Sequence, residues 1–319
     1  ELGRRDAEKD IEYSVPSDQP QYPSFRFSTG VSWQTVAASY ERIVSRQTNM
    51  DDAKSLLREL GLNAPSFSNL QQAAESLTAQ LHKNVRYTGV EFGQAAIIPN
   101  PPPQVINRHY GDCKDKATLL MTMLRSVGFD AHVALLRVGT LGDVDPELPG
   151  FGLFDHAIVF VAGKQPLWID ATADSARVGT LPIGDQGRLA LIVDGSTTTL
   201  IKTPVSNATD NRIAYNIEIH LTDNGKGNIH ESLEAKGNFE LQMRSIFGGN
   251  DHEVRTALER RAKNSFDAES VGEFKVTRKD DFSQPFRLSD EIKNSGAVVT
   301  SLQDAAVRLS NGFVFEDLP

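Results

Sequence analysis

Cysteine is nearly absent from this chain of 319 residues, which contains a single one, Cys113. One cysteine cannot form an internal disulfide, so the sequence does not indicate an oxidising or a reducing compartment. Apolar runs are short, and none approaches the ~20 residues that a membrane-spanning helix needs. Positive charge is in deficit, with 33 lysines and arginines against 42 aspartates and glutamates, for a net charge of −9. This balance disfavours nucleic acids and anionic membranes as partners, because both select basic surfaces.

Motifs that bind cofactors are missing as well. The chain has no glycine-rich phosphate-binding motif, no internal repeat and no low-complexity tract. His220, His230 and His252 do not have the spacing of a metal site, so we expect neither a metal nor a cofactor. The hydrophobic fraction of 39% and the charged fraction of 24% are those of an ordinary globular protein. The length allows two domains.

The region around Cys113 predicts the start of a helix. Apolar residues follow it at helical spacing, namely Ala117, Leu120, Met121, Leu124 and Val127. Asp112 is placed to cap the first turn and Gly128 to end the helix, so we expect a helix over residues 113–127. The positive end of the helix dipole and the nearby lysines favour the thiolate, which makes Cys113 a candidate nucleophile. The simpler alternative is a cysteine buried as a small apolar side chain.

A nucleophilic cysteine needs a base, and the base needs a group that orients it. Residues 156–161 predict a strand, residues 162–166 a turn, and residues 167–172 the return strand. Folded as a hairpin, these strands bring His156 near Asp170 at the end away from the turn, with both side chains on one face. The plainer alternatives are an ordinary strand histidine and an aspartate that caps a turn. His109 is a rival base, ranked lower because no carboxylate is placed to orient it.

The remaining part of such a site is an oxyanion hole. The backbone N–H of Cys113 is a ready donor because it lies at the start of a helix. A second donor has three candidates on the preceding segment, Tyr87, Gln94 and Asn100, and the sequence does not choose among them. We expect Asp115 and Lys116 to shape the helix start rather than to take part in the chemistry.

Three segments in this order carry a resemblance to a known family. They are residues 111–120 (GDCKDKATLL), 155–159 (DHAIV) and 167–172 (LWIDAT), and residues 84–93 (NVRYTGVEFG) add to them. The pattern resembles the bacterial transglutaminase-like superfamily, in particular the branch in which this domain is flanked by β-rich domains of unknown function. The resemblance covers residues 30–205 well and the C-terminal region loosely.

The resemblance implies an α+β fold with a papain-like core, in which a cysteine-bearing helix packs on an antiparallel sheet. It implies a triad of Cys113, His156 and Asp170 that performs cysteine-dependent acyl transfer on a peptide or protein substrate, or its hydrolysis. It also implies an extracytoplasmic location in a bacterium. The alternative is a catalytically silent module that binds a peptide or protein on the same fold. The oligomeric state is left open.

The domain organisation follows from changes in pattern along the chain. Residues 1–30 predict a linker or the tail of a β domain, and residues 31–205 the transglutaminase-like domain, with helices beginning near Ser32, Asp51 and Ser68. A glycine-rich loop at 139–152 is placed to contact substrate. Strict alternation begins near Ile213, so residues 206–319 predict a β-rich domain of the β-sandwich type with one or two helices.

Overall fold

The computed structural model describes residues 27–62, 67–89, 93–138 and 142–308. These residues form two compact units. The N-terminal unit contains the described residues up to Thr172 together with Ile183–Val205, and the C-terminal unit contains Ala173–Pro182 together with the described residues from Ser206 onward. Most of the predicted linker at 1–30, part of the motif at 84–93 and part of the loop at 139–152 lie outside the described residues. Independent folding of 31–205 and 206–319 stays a prediction.

The helices of the N-terminal unit begin where capping residues place them. They are α1 (Trp33–Gln47), α2 (Met50–Glu59), α3 (Leu70–Asn84), α4 (Pro102–Arg108) and α5 (Cys113–Ser126). Ser32 caps α1 as predicted, since its hydroxyl accepts a hydrogen bond from the N–H of Thr35. Helix α3, predicted to begin near Ser68, is capped by the next residue: Asn69 accepts a hydrogen bond from the N–H of Gln72, while Ser68 bonds the Gln72 side chain.

Helix α5 is the central element of this unit, and its predicted position is confirmed. Asp112 is the N-cap and Val127 the C-cap, and Gly128 follows with a φ of 94° that suits glycine. Every side chain from Cys113 to Leu124 is buried. The reason is that α5 contacts α2, α3 and α4 as well as the sheet. A helix enclosed in this way holds its first residue in a fixed place.

The sheet of the N-terminal unit consists of antiparallel strands. Its members are β3 (Ala131–Leu136), β4 (His156–Val161), β5 (Leu167–Ile169), β6 (Leu189–Ile192) and β7 (Ile201–Lys202), in the order β5-β4-β3-β6-β7. A separate parallel pair, β1 (Arg86–Tyr87) and β2 (Tyr110–Gly111), lies directly before α5. Helix α5 packs on β3 and β4, which places the start of the cysteine helix against the strand that carries His156. The expected α+β class with antiparallel sheets is confirmed.

The C-terminal unit is one antiparallel sheet with two helices packed on it. Its elements are β8 (Arg212–His220), β9 (Gly225–Lys236), α6 (Asn238–Ile246), α7 (Asp251–Phe266), β10 (Ser270–Val276), β11 (Phe286–Thr300) and β12 (Ala305–Val307). The core joins one face of the sheet to apolar side chains of both helices, among them Leu233, Met243, Leu258 and Phe286. The β-sandwich expectation was therefore wrong for the described part of this unit, because helices rather than a second sheet cover the buried face.

A buried ionic cluster connects residues 173–182 to the rest of the C-terminal unit. Glu240 accepts hydrogen bonds from Arg177 and from Arg244, whose side chain is completely buried. Arg177 also donates to the carbonyl oxygens of Phe282 and Gln284, each at 2.6 Å. A short stretch that follows Asp170 and Thr172 in the chain is thus fixed in the other unit. Within the described residues, no helix combines the length and the apolar character needed to cross a membrane.

Candidate active site

Cys113 lies at the first position of α5, where several polar contacts fix the helix start. Asp112 and Asp115 form a capping box, in which each side chain accepts a hydrogen bond from the other residue's backbone N–H. Asp115 also accepts from Arg108 and from both the backbone and the side chain of Asn100. A Cβ on Gly111 would lie 2.8 Å from the Cβ of Asp115, so only glycine permits this close approach. Cys113 is 7% exposed.

His156 and Asp170 meet at the open end of a hairpin. His156 is the first residue of β4, and β4 pairs with β5 in a register that places Ile169 opposite Val159. Asp170, the next residue, therefore lies opposite Ile158, two positions from His156 and on the same face of the sheet. His156 Nε2 lies 3.3 Å from Asp170 Oδ2. Thr172 holds the other oxygen of Asp170 with its N–H at 2.8 Å and its hydroxyl at 2.7 Å.

The side chain of His156 also lies close enough to Cys113 for an interaction between the two to raise the pKa of the imidazole. Because Nε2 faces Asp170, the ring nitrogen left for the sulfur is Nδ1. The structure thus brings Cys113, His156 and Asp170 together in the order sulfur, imidazole, carboxylate. The roles predicted for them stay a prediction, but each of the three side chains is within reach of the next.

The surroundings of His156 and Asp170 stabilise the charged form of each side chain. Burial lowers the pKa of His156, but hydrogen bonds to Asp170 and Cys113 and the negative charges of Asp170 and Asp185 raise it to about 11. Burial raises the pKa of Asp170, but the hydrogen bonds from His156 and Thr172 outweigh it and hold that pKa below its ordinary value. At neutral pH the geometry therefore favours an imidazolium beside an ionised carboxylate.

A further acid, Asp185, lies at the same place and was missed by sequence reasoning. Its carboxylate, Asp170 and His156 have ligand-type atoms within 4.8 Å of one another. Such a group has the chemistry of a metal site, but a metal ion there would replace the hydrogen bond between His156 and Asp170. Burial and the charge of Asp170 raise the pKa of Asp185 to about 7. No local motif marks Asp185, which ends a short 3₁₀ turn at Ile183–Asp185.

Tyr40 lies in the electrostatic surroundings of Cys113. Its hydroxyl donates to the carbonyl of Ile97 at 3.0 Å, and its ring contacts that of Phe151 at 4.8 Å. Burial, followed by the negative charges of Cys113, Asp112 and Asp115, raises the pKa of Tyr40 well above its ordinary value. The contact with Phe151 attaches the loop before β4 to helix α1.

A cavity of about 460 Å³ lies beside this loop. Its lining includes Arg137, Asp143, Asp145, Phe151 and Leu153. Arg137 directly follows Leu136, the strand partner of His156, so the cavity lies near the end of β4 that carries the imidazole. Its walls combine aromatic, acidic and basic groups.

The other predicted site residues lie elsewhere or have other partners. His109 is exposed, and its Nδ1 lies 3.1 Å from the carbonyl oxygen of Asn84. The amide of Asn100 donates to Asp115, so it serves the helix start. Gln94 is exposed on the 3₁₀ turn Gly93–Ala96, and Tyr87 is 52% exposed in β1. Lys116 is buried and donates to the carbonyl of Val85 at 3.2 Å, which agrees with its expected structural role.

Part of the chain matches a known family. Residues 55–170 match the model of the transglutaminase-like superfamily, a stretch that contains Cys113, His156 and Asp170. These residues therefore form a transglutaminase-like domain, and the family resemblance inferred from the motifs is confirmed.

More distant comparisons add little. No curated protein matches the chain in sequence. Among solved structures, a crystal structure of a candidate protease from Parabacteroides distasonis aligns with 84% of this chain at 13% identity and a TM-score of 0.41. The chain covers 54% of that protein, about half its length. At this level of similarity, neither fold nor function can be transferred.

Proposed function

We propose that this protein is a cysteine-dependent acyl-transfer enzyme that acts on amide or peptide substrates. One observation carries the proposal: the imidazole of His156 is within reach of Cys113, and its Nε2 lies 3.3 Å from Asp170 Oδ2. An imidazole held in this way stabilises a thiolate and can pass a proton to a departing amine.

The reaction has two stages. The Cys113 thiolate attacks the carbonyl carbon of the amide, and the backbone N–H of Cys113 donates to the resulting oxyanion. The C–N bond then breaks as the His156 imidazolium gives its proton to the leaving amine, which leaves a thioester on the sulfur. An amine or a water molecule next attacks the thioester while neutral His156 accepts its proton, and the C–S bond breaks to return Cys113 as a thiolate beside the imidazolium. The product is a new amide in the first case and a carboxylic acid in the second.

The imidazolium is the main partner of the thiolate in this proposal. The helix start carries two buried carboxylates, Asp112 and Asp115, and their negative charges offset the positive end of the α5 dipole. Lys114 and Arg108 pair with those two carboxylates and are thereby occupied. The sulfur therefore depends on His156, and Asp170 fixes the ring and its charge.

Alkylation with iodoacetamide tests the proposal directly, since the chain has one cysteine. We expect fast labelling of Cys113 near pH 6, where an ordinary thiol with a pKa of about 8.5 is almost fully protonated. His156→Ala should slow this labelling, whereas His109→Ala, a matched control at the exposed histidine, should not. Equal labelling of wild type and His156→Ala would contradict the ion pair.

Turnover is tested with a panel of peptide and glutamine donors, with and without a fluorescent amine acceptor. Incorporation of the amine indicates transfer, and release of a free acid indicates hydrolysis. Cys113→Ser should abolish both while leaving the circular dichroism spectrum unchanged, because the substitution is nearly isosteric. A Cys113→Ser protein that retained full activity would place the nucleophile elsewhere.

A silent binding module is the second candidate. The observation that favours it is the burial of Cys113, whose exposure of 7% leaves little room for a substrate carbonyl. An enzyme would need the groups that cover Cys113 to move aside. Absence of labelling at every pH, in a folded protein that binds peptides, would favour the module.

A further inference from the structure

Asp185 is fixed beside the proposed triad by contacts of its own. It is 3% exposed, and its carbonyl oxygen accepts a hydrogen bond of 2.6 Å from the hydroxyl of Thr203, which is itself buried. Thr203 also accepts from the N–H of Arg188, so the turn that carries Asp185 is tied to the chain after β7. The backbone thus holds this carboxyl group in one place, next to Asp170 and His156.

The hydrogen bonds of Asp170 leave room for one more donor. An ionised carboxylate offers about four lone pairs. The N–H and the hydroxyl of Thr172 occupy two on Oδ1, and Nε2 of His156 occupies one on Oδ2. The remaining acceptor position is available to Asp185, because ligand-type atoms of Asp185, Asp170 and His156 all lie within 4.8 Å of one another. Two carboxyl groups can bond to each other only if one of them carries a proton.

The proton belongs on Asp185 rather than on Asp170. Asp170 receives three donors that stabilise its negative charge. Asp185 receives none at Oδ2, a buried atom without a hydrogen-bond partner. Two buried carboxylates this close repel each other when both are ionised, and the one with fewer donors is the one that is protonated.

We propose that Asp185 is a positioning residue, a neutral carboxyl group that donates its O–H to Asp170 and thereby holds Asp170 against His156. The importance of Asp185 for catalysis rests on the proposed acyl transfer. The hydrogen bond between Asp185 and Asp170 does not depend on that function.

The proposal predicts an alkaline limit to activity. The charged or titratable groups that face Asp185 are Asp170, His156 and, more weakly, Arg188. Burial and Asp170 raise the pKa of Asp185 to about 7. As pH rises through that value, Asp185 loses its proton, the hydrogen bond to Asp170 is lost, and two like charges face each other. Acyl transfer should therefore decline above neutral pH for a reason independent of the thiol.

Two substitutions test whether Asp185 acts as a hydrogen-bond donor or only fills space. Asp185→Asn retains an N–H donor but cannot ionise, so it should keep at least half of the activity and remove the alkaline decline. Asp185→Ala removes the donor and should reduce kcat by about tenfold to a hundredfold, as misplaced catalytic groups do. If both variants keep the wild-type rate and pH profile, the positioning role is refuted.

A measurement that does not depend on turnover separates the positioning role of Asp185 from the proposed acyl-transfer activity. Carbon-13 NMR of aspartate carboxyl groups should show one that titrates near pH 7 in the wild type and is missing in Asp185→Asn. If that signal is present and no substrate is turned over, the positioning proposal stands and the enzymatic one fails. If every aspartate carboxyl group titrates below pH 5, the positioning proposal fails whatever the activity. If Asp185→Ala does not fold, the comparison of the wild type with Asp185→Asn still tests the proposal.

Discussion

Replacing Asp185 with asparagine should stabilise the N-terminal unit, and the gain should grow with pH. Burial raises the pKa of Asp185 from 3.8 to about 7. An acid whose pKa is raised in the folded state contributes stability that is present below the unfolded pKa and is lost as pH rises through the folded pKa. The wild type should therefore become less stable from about pH 4 to about pH 7. The Asp185→Asn variant cannot show this loss, because an amide does not ionise in this range.

The size of the change in the free energy of unfolding follows from the shift in the pKa of Asp185. At 1.36 kcal/mol for each pKa unit, ionising Asp185 in the folded protein costs about 4 kcal/mol at pH 8. At pH 5 the same group costs about 1.5 kcal/mol, because the folded protein still keeps it protonated there. The stability gain of Asp185→Asn should thus be larger at pH 8 than at pH 5 by about 2–3 kcal/mol.

Tryptophan fluorescence makes the measurement specific to one unit. Trp33 and Trp168 are the chain's two tryptophans, and both are buried in the N-terminal unit. Urea unfolding of wild type and Asp185→Asn, followed by this signal at both pH values, gives the two differences in the free energy of unfolding. Glu59→Gln, at an exposed carboxylate of α2, is the matched control and should show no comparable dependence. An equal gain at pH 5 and pH 8 would refute the argument that Asp185 is protonated in the folded protein.

Three further predictions concern other parts of the chain. Asp170→Asn should reduce kcat by about tenfold or more, since asparagine can still bond the imidazole but cannot stabilise its charge, and an unchanged rate would limit Asp170 to shaping a turn. Glu240→Ala should destabilise the C-terminal unit by about 3–5 kcal/mol because it leaves Arg244 buried without its partner, and calorimetry that shows no change would contradict this. A chain that ends at Val205 lacks the partners of Arg177, so trypsin should cleave after Arg177 faster than in the full chain, while Cys113 stays reactive. Equal cleavage rates, measured by mass spectrometry, would show that those partners do not protect Arg177 from trypsin.

Local patterns predicted the parts of the fold that depend on neighbouring residues. The apolar spacing and Asp112 gave the limits of α5, and the alternation near Ile213 gave strand β8. The hairpin of β4 and β5 also had to bring His156 near Asp170, because two short strands and a turn leave little choice of register.

What the sequence could not predict depends on distant contacts. Asp185 has no motif around it, and only the packing of its turn against the chain near Thr203 brings it to Asp170. The placement of residues 173–182 in the C-terminal unit depends on Arg177 and Glu240, which lie far apart in the chain. Ser68 and Asn69 are both good helix caps, so propensity alone could not decide between them.

The order of these residues along the chain has a consequence for folding during synthesis on the ribosome. Cys113 and its capping box are local, so this helix start can form as soon as that stretch leaves the ribosome. The imidazole and both carboxyl groups emerge later and meet the sulfur only when β4 and β5 join the sheet. Under the proposed function, the imidazole that stabilises the thiolate is therefore absent until the sheet is complete. Fast labelling of Cys113 is then expected to report completed folding of the N-terminal unit.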